Sequence, residues 1–141
     1  MEDSNTKLAN QVIITCVRLT RWLRAMDPDP QLTPTQVSAL GIIIFSGGIT
    51  PSALADLEEV KRPTIARTIG QLEARRLITR MISKEDGRSS LLKATKTGLA
   101  LFEDGQRRSA LPLVNAMRKL SKAELKIICD AFRTIEGVIN A

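Results

Sequence analysis

Apolar residues recur along this chain at helical intervals, then at a two-residue interval over one short region, then at helical intervals again. Leu8, Val12, Thr15, Leu19, Trp22 and Met26 step by four and three, the stripe of an amphipathic helix close to a heptad. Asp27-Pro28-Asp29-Pro30 ends it in a short turn, because a residue before proline is pushed out of helical geometry. Thr33-Pro34-Thr35-Gln36 announces the next helix: Thr33 caps, Pro34 suits the first helical position, and Gln36 reaches back as the second half of a capping box. That helix is predicted to end near Phe45, with Val37, Leu40, Ile43 and Ile44 facing inward. Ser46-Gly47-Gly48 terminates it by supplying a left-handed position without Cβ strain.

Thr50-Pro51 repeats the start signal and predicts a short helix to Leu57, with Leu54 and Leu57 inward and Glu58-Glu59-Val60 as the turn. Arg62-Pro63 opens another, whose inner face is Ile65, Ile69 and Leu72 at i, i+4 and i+7. Thr64, Arg67 and Gln71 fall on its opposite side, with Thr68 flanking them. Two short helices joined by a tight turn, the second one basic outward, form a helix-turn-helix. After Leu77 the period drops to two. Residues 77–82 and 89–94 read as strands on either side of Ser83-Lys84-Glu85-Asp86-Gly87-Arg88, and Asp-Gly is a strong turn dipeptide, so a hairpin with a charged tip is expected. Thr95 caps a further helix anchored by Leu99, Phe102, Leu113, Met117 and Leu120, with Gln106 and Pro112 breaking the pattern and Pro112 expected to kink it. Ser121-Lys122-Ala123-Glu124 is a capping box, and it opens a last helix striped by Leu125, Ile128, Phe132, Ile135 and Ile139.

Charge singles out one part of this series. Between Lys61 and Lys96 stand ten basic and three acidic residues, a balance of +7 in a chain whose total is +6. The positive field therefore belongs to the helix-turn-helix and the hairpin, which points first to nucleic acid. On its own, a row of Arg and Lys is usually a solvated helix face, and Asp-Gly-Arg is a common surface turn. The concentration of charge, the inward stripe and the hairpin together favour binding over that blander account. With 141 residues, 43% apolar and 26% charged, the chain suits one folded domain or one subunit of an intimate oligomer. Runs such as Ile42-Ile43-Ile44-Phe45 fall far short of the ~20 residues of a membrane span, and the start Met1-Glu2-Asp3 is acidic, so no membrane partner and a cytoplasmic location are expected. Cys16 and Cys129 are isolated, as suits a reducing compartment, and Cys16 within residues 12–17 reads as buried and inert. With no histidine, no Gly-rich phosphate loop and no metal-ligand cluster, neither a cofactor nor an enzyme is expected.

Five motifs carry a resemblance that covers essentially the whole chain: Leu32-Thr33-Pro34-Thr35-Gln36, Ile49-Thr50-Pro51-Ser52-Ala53-Leu54-Ala55, Arg62-Pro63-Thr64-Ile65-Ala66-Arg67, Gln71-Leu72-Glu73-Ala74-Arg75, and Asp86-Gly87-Arg88. In order and at this spacing, the set resembles the MarR family of winged helix-turn-helix transcription regulators. The resemblance implies a mainly α fold with a small β-hairpin wing. It implies a helical dimerisation region at 1–30 and 97–141 and a winged helix-turn-helix DNA-binding lobe at 31–96. It also implies a homodimer with interlocking terminal helices that straddles pseudo-palindromic double-stranded DNA as a ligand-responsive repressor. The stripes at residues 8–26 and 125–139 have little chain beside them to cover them within one subunit, which favours a partner copy over a closed monomeric core.

Carried onto this sequence, the resemblance places Thr64, Arg67, Thr68 and Gln71 in the major groove, where Arg can bond guanine bidentately and Gln can do the same with adenine. Lys61 and Arg62 are placed at phosphates. Lys84 lies on the wing, where Asp86 is expected to orient Arg88 into the adjacent minor groove. A small aromatic or anionic effector is implied between the dimer helices and the lobe, with Trp22 as aromatic wall, Arg18 as anion partner, and Cys16 and Ile44 in the lining. Some members instead sense peroxide through a first-helix cysteine, commonly with tyrosine donors nearby, and this chain has no Tyr. Two residues depart from the family pattern. Lys61 stands where a small polar cap is common, and Arg76 where a glycine usually ends the recognition helix. The competing reading is a protein-interaction module that uses the winged fold without reading DNA sequence.

Overall fold

The computed structural model describes residues 3–27, 30–82 and 90–141. Among them are α1 (Ser4–Met26), α2 (Pro34–Ser46), α3 (Pro51–Leu57), α4 (Arg62–Ala74), β1 (Ile78–Ile82), β2 (Ser90–Ala94), α5 (Lys96–Met117) and α6 (Lys122–Ile139). The fold is mainly helical, with a two-stranded antiparallel hairpin whose register pairs Ile78 with Ala94 and Ile82 with Ser90.

Local chemistry sets the helix boundaries. The Thr33 hydroxyl accepts from the Gln36 N–H at 3.2 Å, and Gln36 Oε1 accepts from the Thr33 N–H at 3.0 Å. Thr50 caps α3 through the Ala53 N–H, and Thr95 caps α5 through the Gly98 N–H. At α6 the Ser121 and Glu124 side chains close a second capping box. There the Ser121 backbone N–H, and after it the Ser121 hydroxyl, hold the Glu124 carboxyl below the usual glutamate range. Gly47, with φ 70°, ends α2 in the left-handed region.

Both helices of the helix-turn-helix end in the same way, with a non-glycine residue in the left-handed position. After α3, Glu59 has φ 53°; its N–H bonds the Asp56 carbonyl, and the Val60 N–H bonds that of Ala55. After α4, Arg76 has φ 57°; its N–H bonds Glu73 and the Leu77 N–H bonds Leu72. This nested pair of bonds is a Schellman ending, and the buried Leu77 and Leu72 supply its apolar partners.

The chain divides into two compact units. The unit spanning residues 29–107 owns the core, in which Leu40, Ile43, Leu54, Ile65, Ile69, Leu72 and Leu92 are fully buried. Phe102 brings the first part of α5 onto this core, against Gly41 and edge-on to Phe45. Ile49 exchanges two backbone hydrogen bonds with Leu92, adding one residue of strand beside β2. At Gly98, a Cβ would lie 2.0 Å from the Leu77 carbonyl oxygen, so α5 can start against that backbone only without a side chain.

The other unit combines residues 1–28 with 108–141. Asp27, at the end of α1, pairs with Arg108 of α5 at 3.1 Å. Neither α1 nor α6 contains a buried residue: Leu8, Ile13, Val17, Leu125, Phe132 and Ile139 are all exposed. No helix among the described residues is long and apolar enough to cross a membrane.

Three expectations are corrected here. Val37 is 41% exposed, because the inward face of α2 passes through Gln36, Ala39, Leu40 and Ile43 instead. Leu57 is exposed because it is the last residue of α3, where the chain turns away. Cys16 is exposed, since α1 buries nothing within this chain. Pro112 lies inside α5, which continues through it to Met117.

Candidate nucleic-acid interface

α3 packs on α4, and the turn at Glu59 brings α4 back across α2. Ile65, Ile69 and Leu72 anchor α4 in the core. Its other side leaves Lys61, Arg62, Thr64, Ala66, Arg67 and Gln71 exposed. Lys61 is the N-cap residue and makes no side-chain cap bond, so its ammonium is not tied to the helix it starts. Among the described residues Lys61, Arg62 and Arg67 have no ion pair. They lie in the first two turns of α4, where the helix dipole also favours an anion.

Two arginines around the far end of α4, Arg75 and Arg80, are already engaged, whereas Arg76 between them has no ion pair among the described residues. Arg75 donates to the Gln31 carbonyl at 2.6 Å, holding the helix to the segment before α2. Arg80 on β1 grips Glu73 through Nε at 3.1 Å and Nη2 at 2.7 Å, holding the same end to the hairpin. The basic stretch therefore splits into clamps around its C-terminal end and unpaired cations around its N-terminal end.

Thr68 departs from the expected reading face. It is 4% exposed, and its hydroxyl donates back to the Thr64 carbonyl at 3.3 Å. At 100° per residue it lies about 40° from Leu72 on one side and about 40° from exposed Thr64 on the other, so it forms the edge of the buried arc where that arc meets the exposed face. Thr64, Arg67 and Gln71 keep that face, and Gln71 is held from below: its Oε1 accepts from Gln36 Nε2 at 3.1 Å. In the sequence Gln36 signals only a cap, so this second role had no visible trace.

The wing strands are in place, but Lys84, Asp86 and Arg88 lie outside the described residues. The residues expected around an effector fall in both units. Cys16, Arg18 and Trp22 stand exposed on α1. Ile44 is half-buried on α2 and borders a cavity of about 280 Å³ that Ile43, Leu99, Lys93 and Lys96 also line.

A sequence model described as the MarR family matches residues 32–90, the stretch from the segment before α2 to the hairpin. An HTH-type transcriptional regulator of Mycobacterium tuberculosis is 30% identical over 131 residues, covering 93% of this chain and 92% of that protein. Among solved structures, a MarR family protein from Bacillus stearothermophilus superposes with a TM-score of 0.86 at 16% identity, over 100% of both chains. FabT of Streptococcus pneumoniae, solved in complex with DNA, superposes with a TM-score of 0.70 at 16% identity, over 98% of both chains.

Proposed function

This chain belongs to the MarR family of DNA-binding transcriptional regulators, which are not enzymes, and from that premise we propose that it is a homodimeric, ligand-responsive repressor of a pseudo-palindromic operator. The observation that carries the DNA-reading part is the two-sided build of α4, with Ile65, Ile69 and Leu72 buried and Lys61, Arg62, Thr64, Arg67 and Gln71 exposed. Lys61 and Arg62 set affinity through phosphates, and Thr64, Arg67 and Gln71 set base preference in the major groove. On the wing, Asp86 is assigned to orient Arg88 toward the adjacent minor groove, and Lys84 is assigned to the same DNA contact. Thr68 supports the face from inside and is not among the reading residues.

Homodimerisation is supported by the apolar stripes that α1 and α6 leave uncovered. A two-fold partner that covers them sets two copies of α4 about one turn of DNA apart, and the operator takes the symmetry of the dimer. The cavity beside Ile44, with apolar walls and Lys93 and Lys96 at its edge, suits a small aromatic or anionic effector. Cys16, Arg18 and Trp22 are the α1 residues assigned to the same response.

The test is DNA binding across a salt series, using the palindrome upstream of the protein's own coding sequence and a scrambled duplex. The palindrome is expected to bind at least ~10³-fold more tightly, with a steep fall in affinity as salt rises. Arg88→Ala is expected to weaken binding and reduce the salt slope. Equal affinity for the two duplexes would leave a protein-interaction module as the better reading.

A further inference from the structure

We propose that Gln71 presents its amide NH2 to DNA in preference to its oxygen, and that buried Gln36 is the positioning residue that sets this polarity. The inference rests on the reading above that the exposed face of α4 enters the major groove. Its origin is a backbone group whose chemistry is unambiguous. The Thr33 N–H can only donate, so the Gln36 atom 3.0 Å from it must be the carbonyl Oε1. The other end of the Gln36 amide is then NH2, which can only donate, and it lies 3.1 Å from Gln71. The Gln71 atom that receives it must be Oε1. Each amide orientation follows from the one before it, starting from a main-chain N–H, which removes the usual ambiguity of glutamine side chains.

Gln36 is only 9% exposed and turning its amide would set its NH2 against the Thr33 N–H, donor to donor, so it does not turn at small cost. Gln71 is exposed and its oxygen is bonded to Gln36 on α2, from which we infer that its NH2 is the group turned outward. Reading adenine with a fork requires the amide oxygen and nitrogen side by side at the base edge, one for N6–H and one for N7. An oxygen bonded to Gln36 keeps a second lone pair, but the bond holds it on the α2 side, so the amide oxygen and nitrogen are not offered to the base edge as a pair. An outward NH2 matches guanine, which offers N7 and O6 as adjacent acceptors. Against adenine, the same NH2 finds N7 but leaves the N6 amino group without an acceptor. The sequence alone suggests adenine for Gln71, and the Gln36 bond reverses that preference.

The experiment measures binding of the full-length protein to a palindromic operator and to all of its single-base variants. Gln71→Ala first locates the position that Gln71 reads, as the one whose base preference it flattens. At that position the wild type is expected to favour guanine over adenine by roughly 5-fold. Gln36→Glu keeps the capping box, since a carboxylate also accepts from the Thr33 N–H, but it has no donor for Gln71. The Gln71 amide then turns its NH2 inward, and the guanine-to-adenine ratio is expected to fall below one. Gln36→Met, which offers neither donor nor charge, is expected to flatten the ratio and serves if the glutamate variant does not fold. Affinity for scrambled DNA should be unchanged in Gln36→Met and lowered in Gln36→Glu only by the added charge, equally for every sequence, which a merely structural role for Gln36 does not predict. A wild-type preference for adenine, an unaltered ratio in both Gln36 variants, or a Gln71→Ala protein with an unchanged profile each overturns the proposal while leaving DNA reading intact. A wild type that discriminates at no position overturns the underlying reading as well.

Discussion

Arg76→Gly is expected to stabilise this protein, against the ordinary rule that a new glycine destabilises. Arg76 sits at φ 57° immediately after α4, in a region where an L-residue carries about 1–2 kcal/mol of strain. Glycine removes that strain but loses more freedom on folding, which returns about 0.4–1 kcal/mol to the unfolded chain. The net gain is about 0.5–1 kcal/mol. Nothing else in the folded state offsets it. The guanidinium is exposed and has no ion pair among the described residues. The bonds that make the turn are all main-chain at this residue: its N–H to Glu73 at 2.8 Å, and its carbonyl receiving the Thr95 hydroxyl at 2.7 Å. Both survive the loss of a side chain.

Urea unfolding at one fixed protein concentration is the direct assay, with Arg76→Ala as the control that deletes the guanidinium and keeps the strain. The alanine variant should match the wild type within ~0.5 kcal/mol. The glycine variant should exceed it, with a melting temperature higher by about 1–4 °C for a chain of this size. A glycine variant no more stable than the alanine variant would refute the reasoning, because the two differ only in tolerance of the left-handed position.

Gly98→Ala should act in the opposite direction: its Cβ would meet the Leu77 carbonyl at 2.0 Å, so a loss of about 3 kcal/mol or more is expected in the same assay. Thr33→Ala removes the α2 cap and should cost ~1 kcal/mol in urea unfolding. Glu124 titrates below its ordinary range because the Ser121 N–H and hydroxyl favour its charged form, so its contribution is fully present above the unfolded-state pKa and is lost as pH falls through the depressed folded value. Urea midpoints of the wild type should therefore drop toward those of Glu124→Gln on acidification, and parallel curves would count against the cap. Phe132→Asp places a charge on the uncovered stripe of α6, and sedimentation should show the proposed dimer weakened by ~100-fold or more.

Which features could be read from the sequence follows from the range of the interactions that set them. Thr33 with Gln36, Thr50 with Pro51, and Ser121 with Glu124 act within three residues, so the starts of α2, α3 and α6 follow directly from the sequence. The period-two run likewise locates β1 and β2 to within a residue. Arg76 falls into the left-handed position that a glycine would be expected to fill, because the Schellman ending is also local. Errors arose where a residue's direction depends on what packs above it. Leu57 is apolar but belongs to the last turn of α3 and reaches no neighbour, whereas Thr68 is polar and is buried at the edge of the arc that Leu72 and Ile65 occupy.

Gln36 shows the limit most sharply. Its cap bond spans three residues and is legible, while its bond to Gln71 spans thirty-five and depends on α2 crossing α4 at one place. The sequence therefore offers Gln71 as a candidate reading residue with the base that a free glutamine would choose. Under the proposal above, tertiary packing leaves the side chain in place and changes which of its two polar atoms faces outward. Residue type alone carries the expected readout of Arg67, whose guanidinium presents donors in every orientation, but not that of an amide, whose meaning depends on the partner behind it.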